Sequence, residues 1–375
     1  MKKVMIFYAS YGGGHLSAAK AIKNFIDDHY KEVQTQMVDC VKYVNKTLDK
    51  LSTSAYKEMA KKAPWAWGKV YYNSQKGLLA KISSSSNKLM AKKLNKLLME
   101  YKPNLIISTH PFASQMCSYL RKNHKLDAKI ATIMTDFAPH DQWLVGSDYV
   151  DYFFVSNDKM KDSLIDLGID SFKIFVTGIP LSARFLEEHN HKKILNDFYL
   201  SEDKKTILFF GGGEFGLGKN KTVQILRTLL ENYSDIQVVA ISGKNEKMKS
   251  AFQELSNELH AESKIKILEY TNQVPELMSI SDLVITKPGG LTITESLASK
   301  LPIIIINPLP GQEEENAELL ENAGAAIWIK KDDNPKQIID TILLNKDKLT
   351  QMRKNSEMLS RPYSTRDICK ILLED

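Results

Sequence analysis

The sequence has few cysteines and no apolar run as long as a membrane-spanning helix. Cys40, Cys117 and Cys369 are far apart, so they predict neither a disulfide framework nor a cysteine metal site, and they favour a reducing compartment. The first apolar run is short and breaks at a glycine-rich stretch, which indicates a β-strand rather than a signal peptide. We therefore expect a cytoplasmic protein.

Arginine is absent from residues 41–102, where 14 lysines accompany only three acidic residues. This segment carries a net charge of +11 although the whole chain carries only +6. Such a segment favours an anionic partner, either a lipid surface or a nucleic acid. Its candidate contact residues are Trp65, Trp67, Tyr71, Leu78, Leu79, Lys61, Lys62 and Lys69. Aromatic rings among lysines suit a membrane interface, and they equally suit stacking on single-stranded nucleic acid.

Near the end of this segment, apolar residues recur at helical spacing. They are Met90, Leu94, Leu97, Leu98 and Tyr101. The spacing predicts an amphipathic helix over Lys88–Tyr101 that packs on a domain core and leaves its lysines in water. This helix is therefore not counted as a membrane contact.

Short apolar runs alternate with helix-like segments along the 375 residues. The pattern predicts an α/β fold with parallel sheets, and the length predicts two domains. Twelve strands are predicted, at Lys3–Ala9, Gln34–Asp39, Asn104–Thr109, Lys129–Met134, Tyr152–Val155, Lys173–Thr177, Thr206–Phe210, Ile236–Ile241, Lys264–Leu268, Leu283–Thr286, Ile303–Ile306 and Ala326–Ile329. A glycine-rich loop follows the first strand of each half, at Ser10–His15 and Gly211–Gly218. We predict two doubly wound domains, over residues 1–178 and 179–361, with residues 362–375 returning to the first domain as a helix.

One segment of the second half has the pattern of a nucleotide-sugar site. The predicted strand Leu283–Thr286 runs directly into Lys287-Pro288-Gly289-Gly290 and then into a helix. Glycine lets the backbone approach a ligand, and a helix N-terminus offers free N–H groups to a pyrophosphate. Carboxylates and amides just beyond the loop suit the hydroxyls of a ribose and a sugar. The alternative is a tight turn and a solvated helix, but the strand–glycine–helix context favours the ligand site.

Five motifs, taken in order, resemble those of one glycosyltransferase family. They are GGGHLSAAKAI, TDFAPHDQW at Thr135–Trp143, GGGEFGLGK, KPGGLTITE and NPLPGQEEENA. Over nearly its whole length the chain resembles the monogalactosyldiacylglycerol synthases of plants and the bacterial processive diacylglycerol glucosyltransferases. The resemblance implies the GT-B fold of two Rossmann-like domains that face each other across a cleft. It also implies transfer of a hexose from UDP-glucose or UDP-galactose to diacylglycerol, with inversion of the anomeric carbon.

The resemblance assigns the acceptor chemistry to the first domain. His15 matches the candidate base that takes the proton of the acceptor hydroxyl, and the alternative is a histidine that caps the loop or binds phosphate. Asp136 either supports His15, acts as the base itself, or only caps a turn. Candidate acceptor contacts are His110, His140 and Trp143, of which His110 is more simply structural.

The donor is assigned to both glycine-rich loops and to the segments around them. The candidate residues are Gly14, Gly213, Glu214, Thr271, Lys287, Gly289, Gly290, Thr292, Glu295, Gln312, Glu313 and Asn316. Glu295 is expected to bind the ribose, and Gln312 and Glu313 are expected to read the hexose. The sequence contains no Asp-x-Asp motif, with which metal-dependent sugar transferases commonly hold a divalent cation. We therefore expect no metal and no other cofactor.

Taken together, the patterns predict a peripheral enzyme on the cytoplasmic face of the cell membrane, with anionic lipid and not nucleic acid as its surface partner. Glucose is the favoured hexose, and addition of more than one sugar is left open. Three alternatives also stay open: a transferase of N-acetylglucosamine to a polyprenyl-linked acceptor such as lipid I, a UDP-sugar epimerase, and a non-catalytic UDP-sugar sensor.

Overall fold

The computed structural model describes residues 1–10, 13–44, 78–212 and 218–374, with 78–89 described as helical backbone only. These residues form two compact units. Unit 1 comprises the described residues up to Ala183 together with the C-terminal segment from Arg361, and unit 2 comprises Arg184–Ser360. Within the described ranges, no helix is long and apolar enough to cross a membrane.

A six-stranded parallel sheet forms the centre of unit 1. Its strands are β1 (Lys2–Tyr8), β2 (Val33–Asp39), β3 (Leu105–Ser108), β4 (Lys129–Ile133), β5 (Tyr152–Val155) and β6 (Ile174–Val176). They lie in the order β2-β1-β3-β4-β5-β6. The direction of winding reverses between β1 and β3. In open α/β sheets, ligands bind beyond the carboxyl ends of the strands at such a switch point.

Helices pack on both faces of this sheet. Those that precede Ala183 in the described part of unit 1 are α1 (Gly14–His29), α2 (Cys40–Val44), α3 (Leu78–Tyr101), α4 (Pro111–Lys122) and α5 (Asp158–Asp166). In α3, Leu94 and Leu98 are buried in the core, and Met90, Leu97 and Tyr101 pack partly buried against it. The amphipathic helix predicted from the spacing of these residues is therefore confirmed.

The apolar run in β1 shows why this segment forms a central strand. Met5 and Phe7 are fully buried in the core that also contains α3 and α4. Val4 and Ile6 are fully buried in the core on the opposite face, together with α1. Because both faces of a parallel sheet are covered, its strands are continuous apolar runs and do not alternate with polar residues.

Unit 2 contains a second six-stranded parallel sheet. Its strands are β7 (Lys205–Phe210), β8 (Ile236–Ile241), β9 (Ile265–Leu268), β10 (Leu283–Thr286), β11 (Ile303–Ile305) and β12 (Ala326–Trp328). They lie in the order β12-β11-β10-β7-β8-β9. Winding reverses between β7 and β10, so the glycine-rich loop after β7 and the Lys287–Gly290 loop after β10 flank the switch point.

The helices of unit 2 alternate with these strands. In the described part they are α6 (His191–Asp197), α7 (Lys219–Asn232), α8 (Glu246–Glu258), α9 (Val274–Ser279), α10 (Gly290–Ala298), α11 (Gln312–Asn322), α12 (Pro335–Leu343) and α13 (Lys346–Leu359). Ile207 and Phe209 of β7 pack in one core with Ile225 of α7 and Phe252 of α8. All twelve predicted strands are present, with ends within one residue of their predicted positions.

The last helix, α14 (Ser364–Leu373), belongs to unit 1. Its Ser364 hydroxyl donates to the Ile179 carbonyl (2.6 Å), and the Leu181 N–H donates to the Thr365 hydroxyl (2.8 Å). These bonds hold residues just beyond Gly178 on unit 1. The division between the units therefore follows Ala183 instead of the predicted Gly178.

Candidate active site

In unit 1, three neighbouring strand ends meet at the imidazole of His15. His15 is the second residue of α1 and follows the loop after β1. Its Nδ1 atom lies 2.6 Å from the Thr109 carbonyl oxygen and 3.0 Å from the Thr135 hydroxyl. Thr109 follows β3 and Thr135 closely follows β4. The side chain predicted to be the base is thus placed at the carboxyl edge of the sheet, at its switch point.

The surroundings of His15 favour its neutral form. Burial lowers the pKa of His15, the negative charge of Asp136 and the hydrogen bond to Thr109 oppose this decrease, and nearby His140 lowers the pKa further. The net result is a pKa below the usual value for histidine, so the imidazole is neutral at pH 7. A neutral imidazole has one nitrogen with a free lone pair, as a general base requires.

Asp136 lies in a group with Trp143 and His140. Asp136 is only 4% exposed, and its Oδ2 atom accepts a hydrogen bond from the Trp143 indole (3.3 Å) and lies 3.6 Å from His140 Nε2. Asp136 acts on His15 through its charge, whereas Thr109 and Thr135 contact the ring directly. Trp143 is 1% exposed and part of the core. The Trp143 indole holds Asp136 in place, and the contact of Trp143 with the acceptor stays a prediction. His140 remains partly exposed.

His110 is a structural residue beside His15. It is 7% exposed, and its Nδ1 atom accepts the Phe112 N–H (3.2 Å), which caps α4. Its ring meets that of His15 edge to face, with 4.7 Å between the ring centroids. Burial lowers the pKa of His110 well below its usual value, and the charges of His15 and His140 add to this effect. The geometry supports the structural alternative for His110.

In unit 2, the loops after β7 and β10 lie side by side at the switch point. A Cβ atom added to Gly212 would be 4.0 Å from Cε of Lys287, and Gly212 has a φ of +91°, which favours glycine. A Cβ atom added to Gly211 would lie 2.6 Å from the Phe252 ring. Chain geometry and packing therefore account for these two glycines.

Gly289 is different, because neither backbone geometry nor packing requires a glycine there. Its φ of −70° and ψ of 138° suit any residue, and no atom lies within 4 Å of an added Cβ. It is the N-cap residue of α10, and its helix has no side-chain cap. The backbone N–H groups of Gly290 and Thr292 therefore lie in an uncapped first turn. With the positive end of the helix dipole, this turn suits a pyrophosphate.

Glu295 lies in the same helix and has an unusual carboxyl group. Burial raises its pKa to about 8. Among the described residues, no hydrogen bond or ion pair to this carboxyl is found. The residue is nevertheless partly exposed, so the carboxyl is open to a ligand. Ligand hydroxyls that donate to it would supply the missing hydrogen bonds, as expected for the ribose.

Glu313 connects α11 to the loop after β10. Its Oε2 atom accepts the Leu309 N–H (2.6 Å) and lies 3.7 Å from Nζ of Lys287. The two charged side chains are less than one-fifth exposed. Lys287 therefore pairs with Glu313, and Glu313 links the loop after β10 to the loop after β11. Gln312 is partly exposed at the start of α11.

Asn316 holds the loop after β10 through a hydrogen bond to its main chain. It is completely buried, and its side-chain amide donates to the Pro288 carbonyl (3.0 Å). Sequence reasoning missed a comparable residue, Asn307, whose amide donates to the Thr222 hydroxyl (2.9 Å) and the Gly218 carbonyl (3.4 Å). Asn307 has a φ of +47°. Its position in an Asn-Pro pair after β11 was the available signal for a turn.

The remaining predicted residues are placed as follows. Gly14 is the first residue of α1, and the Thr271 hydroxyl accepts the Gln273 N–H (3.1 Å) after β9. Leu78 and Leu79 begin α3. The predicted residues outside the described ranges are Gly213, Glu214, Trp65, Trp67, Tyr71, Lys61, Lys62 and Lys69. No group of three His, Cys, Asp or Glu side chains that could hold a metal occurs in the part of the chain that the structure describes.

Two doubly wound domains in one chain are the architecture of the GT-B class of proteins. The chain superposes on MurG from Acinetobacter baumannii with a TM-score of 0.68 at 15% identity, over 100% of both chains. It superposes on UDP-GlcNAc 2-epimerase from Neisseria meningitidis, bound to UDP-GlcNAc, with a TM-score of 0.65 at 16% identity, also over 100% of both. These similarities confirm the predicted GT-B fold. At this level of identity they show the fold and not the activity.

Sequence comparison identifies the family within this class. Residues 15–181 match the family of monogalactosyldiacylglycerol (MGDG) synthase, and residues 206–366 match the glycosyltransferase family 28 C-terminal domain. The processive diacylglycerol beta-glucosyltransferase of Bacillus licheniformis is 30% identical over 100% of this chain and 95% of its own length. That of Staphylococcus aureus is 32% identical over 100% and 93%. The chain belongs to this family of diacylglycerol glycosyltransferases, as the five motifs predicted.

Proposed function

We propose that this protein transfers a hexose from a UDP-sugar to diacylglycerol, and that glucose is the preferred hexose. Membership of the family supports the reaction class, since the curated relatives are named for glucosyl transfer to diacylglycerol. The structural observation that carries the proposal is the neutral imidazole of His15 at the switch point of unit 1. An inverting transfer needs a base at the acceptor hydroxyl, and a histidine with this pKa is unprotonated at working pH.

The acceptor step is a direct displacement. The free hydroxyl of diacylglycerol gives its proton to His15 while its oxygen attacks the anomeric carbon of the sugar. The bond from that carbon to the UDP oxygen breaks, and UDP leaves with the electron pair. Asp136 stabilises the imidazolium that forms, because its charge raises the pKa of His15. His140 is the remaining partly exposed side chain of this group and is assigned to the acceptor.

The donor step uses the loops of unit 2. The pyrophosphate is placed against the N–H groups of Gly290 and Thr292, where the helix dipole of α10 favours negative charge. Glu295 accepts hydrogen bonds from the ribose hydroxyls. Gln312 and Glu313 contact the hexose. The proposal includes no resident metal, since the sequence lacks the Asp-x-Asp motif and the helix terminus meets the charge of the leaving group.

Docking to the cytoplasmic face of an anionic membrane would bring the enzyme to an acceptor that does not dissolve in water. The support is the net charge of +11 over residues 41–102 and the aromatic residues within it. Each lysine near an anionic surface contributes about 1 kcal/mol to binding. Repeated transfer onto the first product would follow if the glycolipid stays at the same site.

The test is transfer of label from UDP-glucose, UDP-galactose and UDP-N-acetylglucosamine into liposomes that contain diacylglycerol, with and without anionic lipid. We expect labelled glucosyl lipid, formed faster on anionic liposomes. UDP binding without any labelled lipid would overturn the proposal and would favour the alternative of a non-catalytic UDP-sugar sensor. Label only from UDP-N-acetylglucosamine into a polyprenyl-linked acceptor would favour the alternative transferase, and conversion of the free UDP-sugar without lipid would favour the epimerase.

A further inference from the structure

Thr109 contacts His15 through two separate hydrogen bonds. The carbonyl oxygen of Thr109 lies 2.6 Å from Nδ1 of the His15 ring. The hydroxyl of Thr109 donates to the main-chain carbonyl of His15 over 2.9 Å. One bond fixes the ring and the other fixes the backbone from which the ring projects. Resting on the transferase activity proposed above, we propose that Thr109 is a positioning residue that selects Nε2 of His15 as the nitrogen that takes the acceptor proton.

The chemistry of the two partners determines the tautomer. A carbonyl oxygen only accepts hydrogen bonds, so Nδ1 must carry the hydrogen in the bond to Thr109. A neutral imidazole has a single N–H group, and the lone pair is therefore on Nε2. The Thr135 hydroxyl also lies near Nδ1, at 3.0 Å. Both contacts engage the same nitrogen and leave Nε2 as the basic atom.

This arrangement differs from a carboxylate–imidazole pair, in which a charged oxygen binds the N–H and also stabilises the imidazolium. Here a neutral carbonyl orients the ring, and Asp136 provides negative charge without the orienting contact. Asp136 is itself held by the Trp143 indole at 3.3 Å and lies 3.6 Å from His140. Orientation and charge are thus supplied by different residues. The two functions should separate when Thr109 and Asp136 are substituted one at a time.

The position of Thr109 is strongly fixed. Thr109 is 0% exposed, and its N–H donates to the Phe7 carbonyl at 3.0 Å. Its hydroxyl also lies 3.3 Å from the same carbonyl. These bonds join the end of β3 to the end of β1. The loop after β1 leads into α1, which carries His15. Thr109→Val keeps the shape of the side chain but removes the hydroxyl, which leaves the His15 carbonyl without this donor. Thr109→Ser keeps the hydroxyl.

The tautomer is measured directly by long-range ¹⁵N–¹H NMR of protein labelled with ¹⁵N-histidine, with His15→Gln used to assign the signals of His15. We expect wild type to show a protonated Nδ1 and an unprotonated Nε2 above the pKa of His15. Thr109→Val keeps the main-chain carbonyl, so we expect the Nδ1–H tautomer to persist. Because the hydroxyl no longer holds the His15 backbone, we expect a roughly tenfold lower kcat, the effect of one buried hydrogen bond, at unchanged KM for the donor. Thr109→Ser should restore the rate.

Asp136→Asn provides the matched comparison. It should leave the Nδ1–H tautomer in place and move the acidic limb of the kcat profile to lower pH, since the negative charge that raises the pKa of His15 is lost. A wild-type His15 protonated on Nε2 would overturn the proposal, as would a Thr109→Val variant with unchanged kcat. The NMR result does not depend on catalysis. An Nδ1–H tautomer in a protein that transfers no sugar would therefore refute the proposed function while leaving the positioning role of Thr109 intact.

Discussion

The side-chain amide of Asn316 donates a hydrogen bond to the main-chain carbonyl of Pro288 over 3.0 Å. Asn316 is completely buried in α11, and Pro288 lies in the loop that leads into α10. The bond joins a rigid helix to the backbone that is proposed to bind the pyrophosphate. The position of the loop between β10 and α10 therefore depends on the Asn316 side chain, which lies in the neighbouring helix α11.

Asn316→Ala should weaken both the fold and donor binding. The substitution leaves the buried Pro288 carbonyl without this donor, which costs about 1–3 kcal/mol of unfolding free energy. It also releases the loop before α10, so we expect UDP affinity to fall by more than the loss of stability explains. Urea unfolding and calorimetric titration with UDP measure the two effects.

The control is Asn355→Ala in the same domain. The Asn355 amide donates to the Gly324 carbonyl over 2.9 Å, near the start of β12 and so at the amino edge of the sheet, opposite the donor loops. This variant should lose stability, although less than Asn316→Ala because Asn355 is only partly buried, and it should keep its UDP affinity. An equal loss of UDP affinity in both variants would show that general destabilisation, and not loop position, is responsible.

Gly289 and Gly211 should respond to alanine in opposite ways. At Gly289 the backbone suits any residue and nothing lies within 4 Å of an added Cβ. Alanine reduces the entropy of the unfolded chain but is a poorer N-cap than glycine, so Gly289→Ala should change stability by no more than about 0.5 kcal/mol. Its methyl group would occupy space at the proposed pyrophosphate site, and UDP affinity should fall. At Gly211 the added Cβ would lie 2.6 Å from Phe252, and overpacking should cost about 1–3 kcal/mol.

Thermal unfolding and UDP titration of both alanine variants test this contrast. Unchanged UDP affinity in Gly289→Ala would show that no ligand approaches this backbone. A strongly destabilised Gly289→Ala would contradict the open space around its Cβ position.

Glu295→Gln should stabilise the protein without ligand while weakening donor binding. Burial raises the pKa of the Glu295 carboxyl from 4.5 to about 8, so between these values the folded state holds a proton that the unfolded state releases. The unfolding free energy therefore falls as pH rises from about 4.5 to about 8. Glutamine removes this dependence, and the variant should have the higher Tm at about pH 8 and no advantage near pH 4.5.

The affinity for UDP should rise with pH, whereas the unfolding free energy falls. An ionised Glu295 accepts two ribose hydrogen bonds better than a protonated one, so wild-type UDP affinity should rise with pH up to about 8, with proton release on binding. Glu295→Gln should show weaker binding that does not vary with pH in this range. Titrations in buffers of different ionisation enthalpy report the proton release, and its absence in wild type would contradict the assigned contact.

The fold was predictable because parallel strands that are buried on both faces leave a strong signal. Runs such as Val4–Phe7 cannot be read as alternating surface strands, and each is followed by glycine or polar residues at its carboxyl end. The roles of single side chains were less predictable. The motif that contains Trp143 did not show that its ring is 1% exposed or that its indole donates to Asp136, since both depend on how the loop packs.

The contact between His15 and Thr109 had no sequence signal at all. The acceptor atom is a main-chain carbonyl, which every residue possesses, and the two residues are 94 positions apart. Only the order of strands brings β1 and β3 together. Glu295 is a different case, because its role was inferred from its motif. Its raised pKa depends on burial, which the sequence does not show.

His15→Gln should abolish most of the transfer and leave the donor site intact. Glutamine has polar atoms near those of the imidazole but does not take up a proton at this pH, and loss of a general base reduces kcat by about 10²–10⁴-fold. Because the pKa of His15 is below its usual value, wild-type kcat at saturating donor should be constant from neutral pH upwards and fall as pH drops through that pKa. The variant should lose this acidic limb and bind UDP as wild type does. Transfer at near wild-type rate with unchanged UDP affinity would show that another group, with Asp136 the nearest candidate, takes the proton.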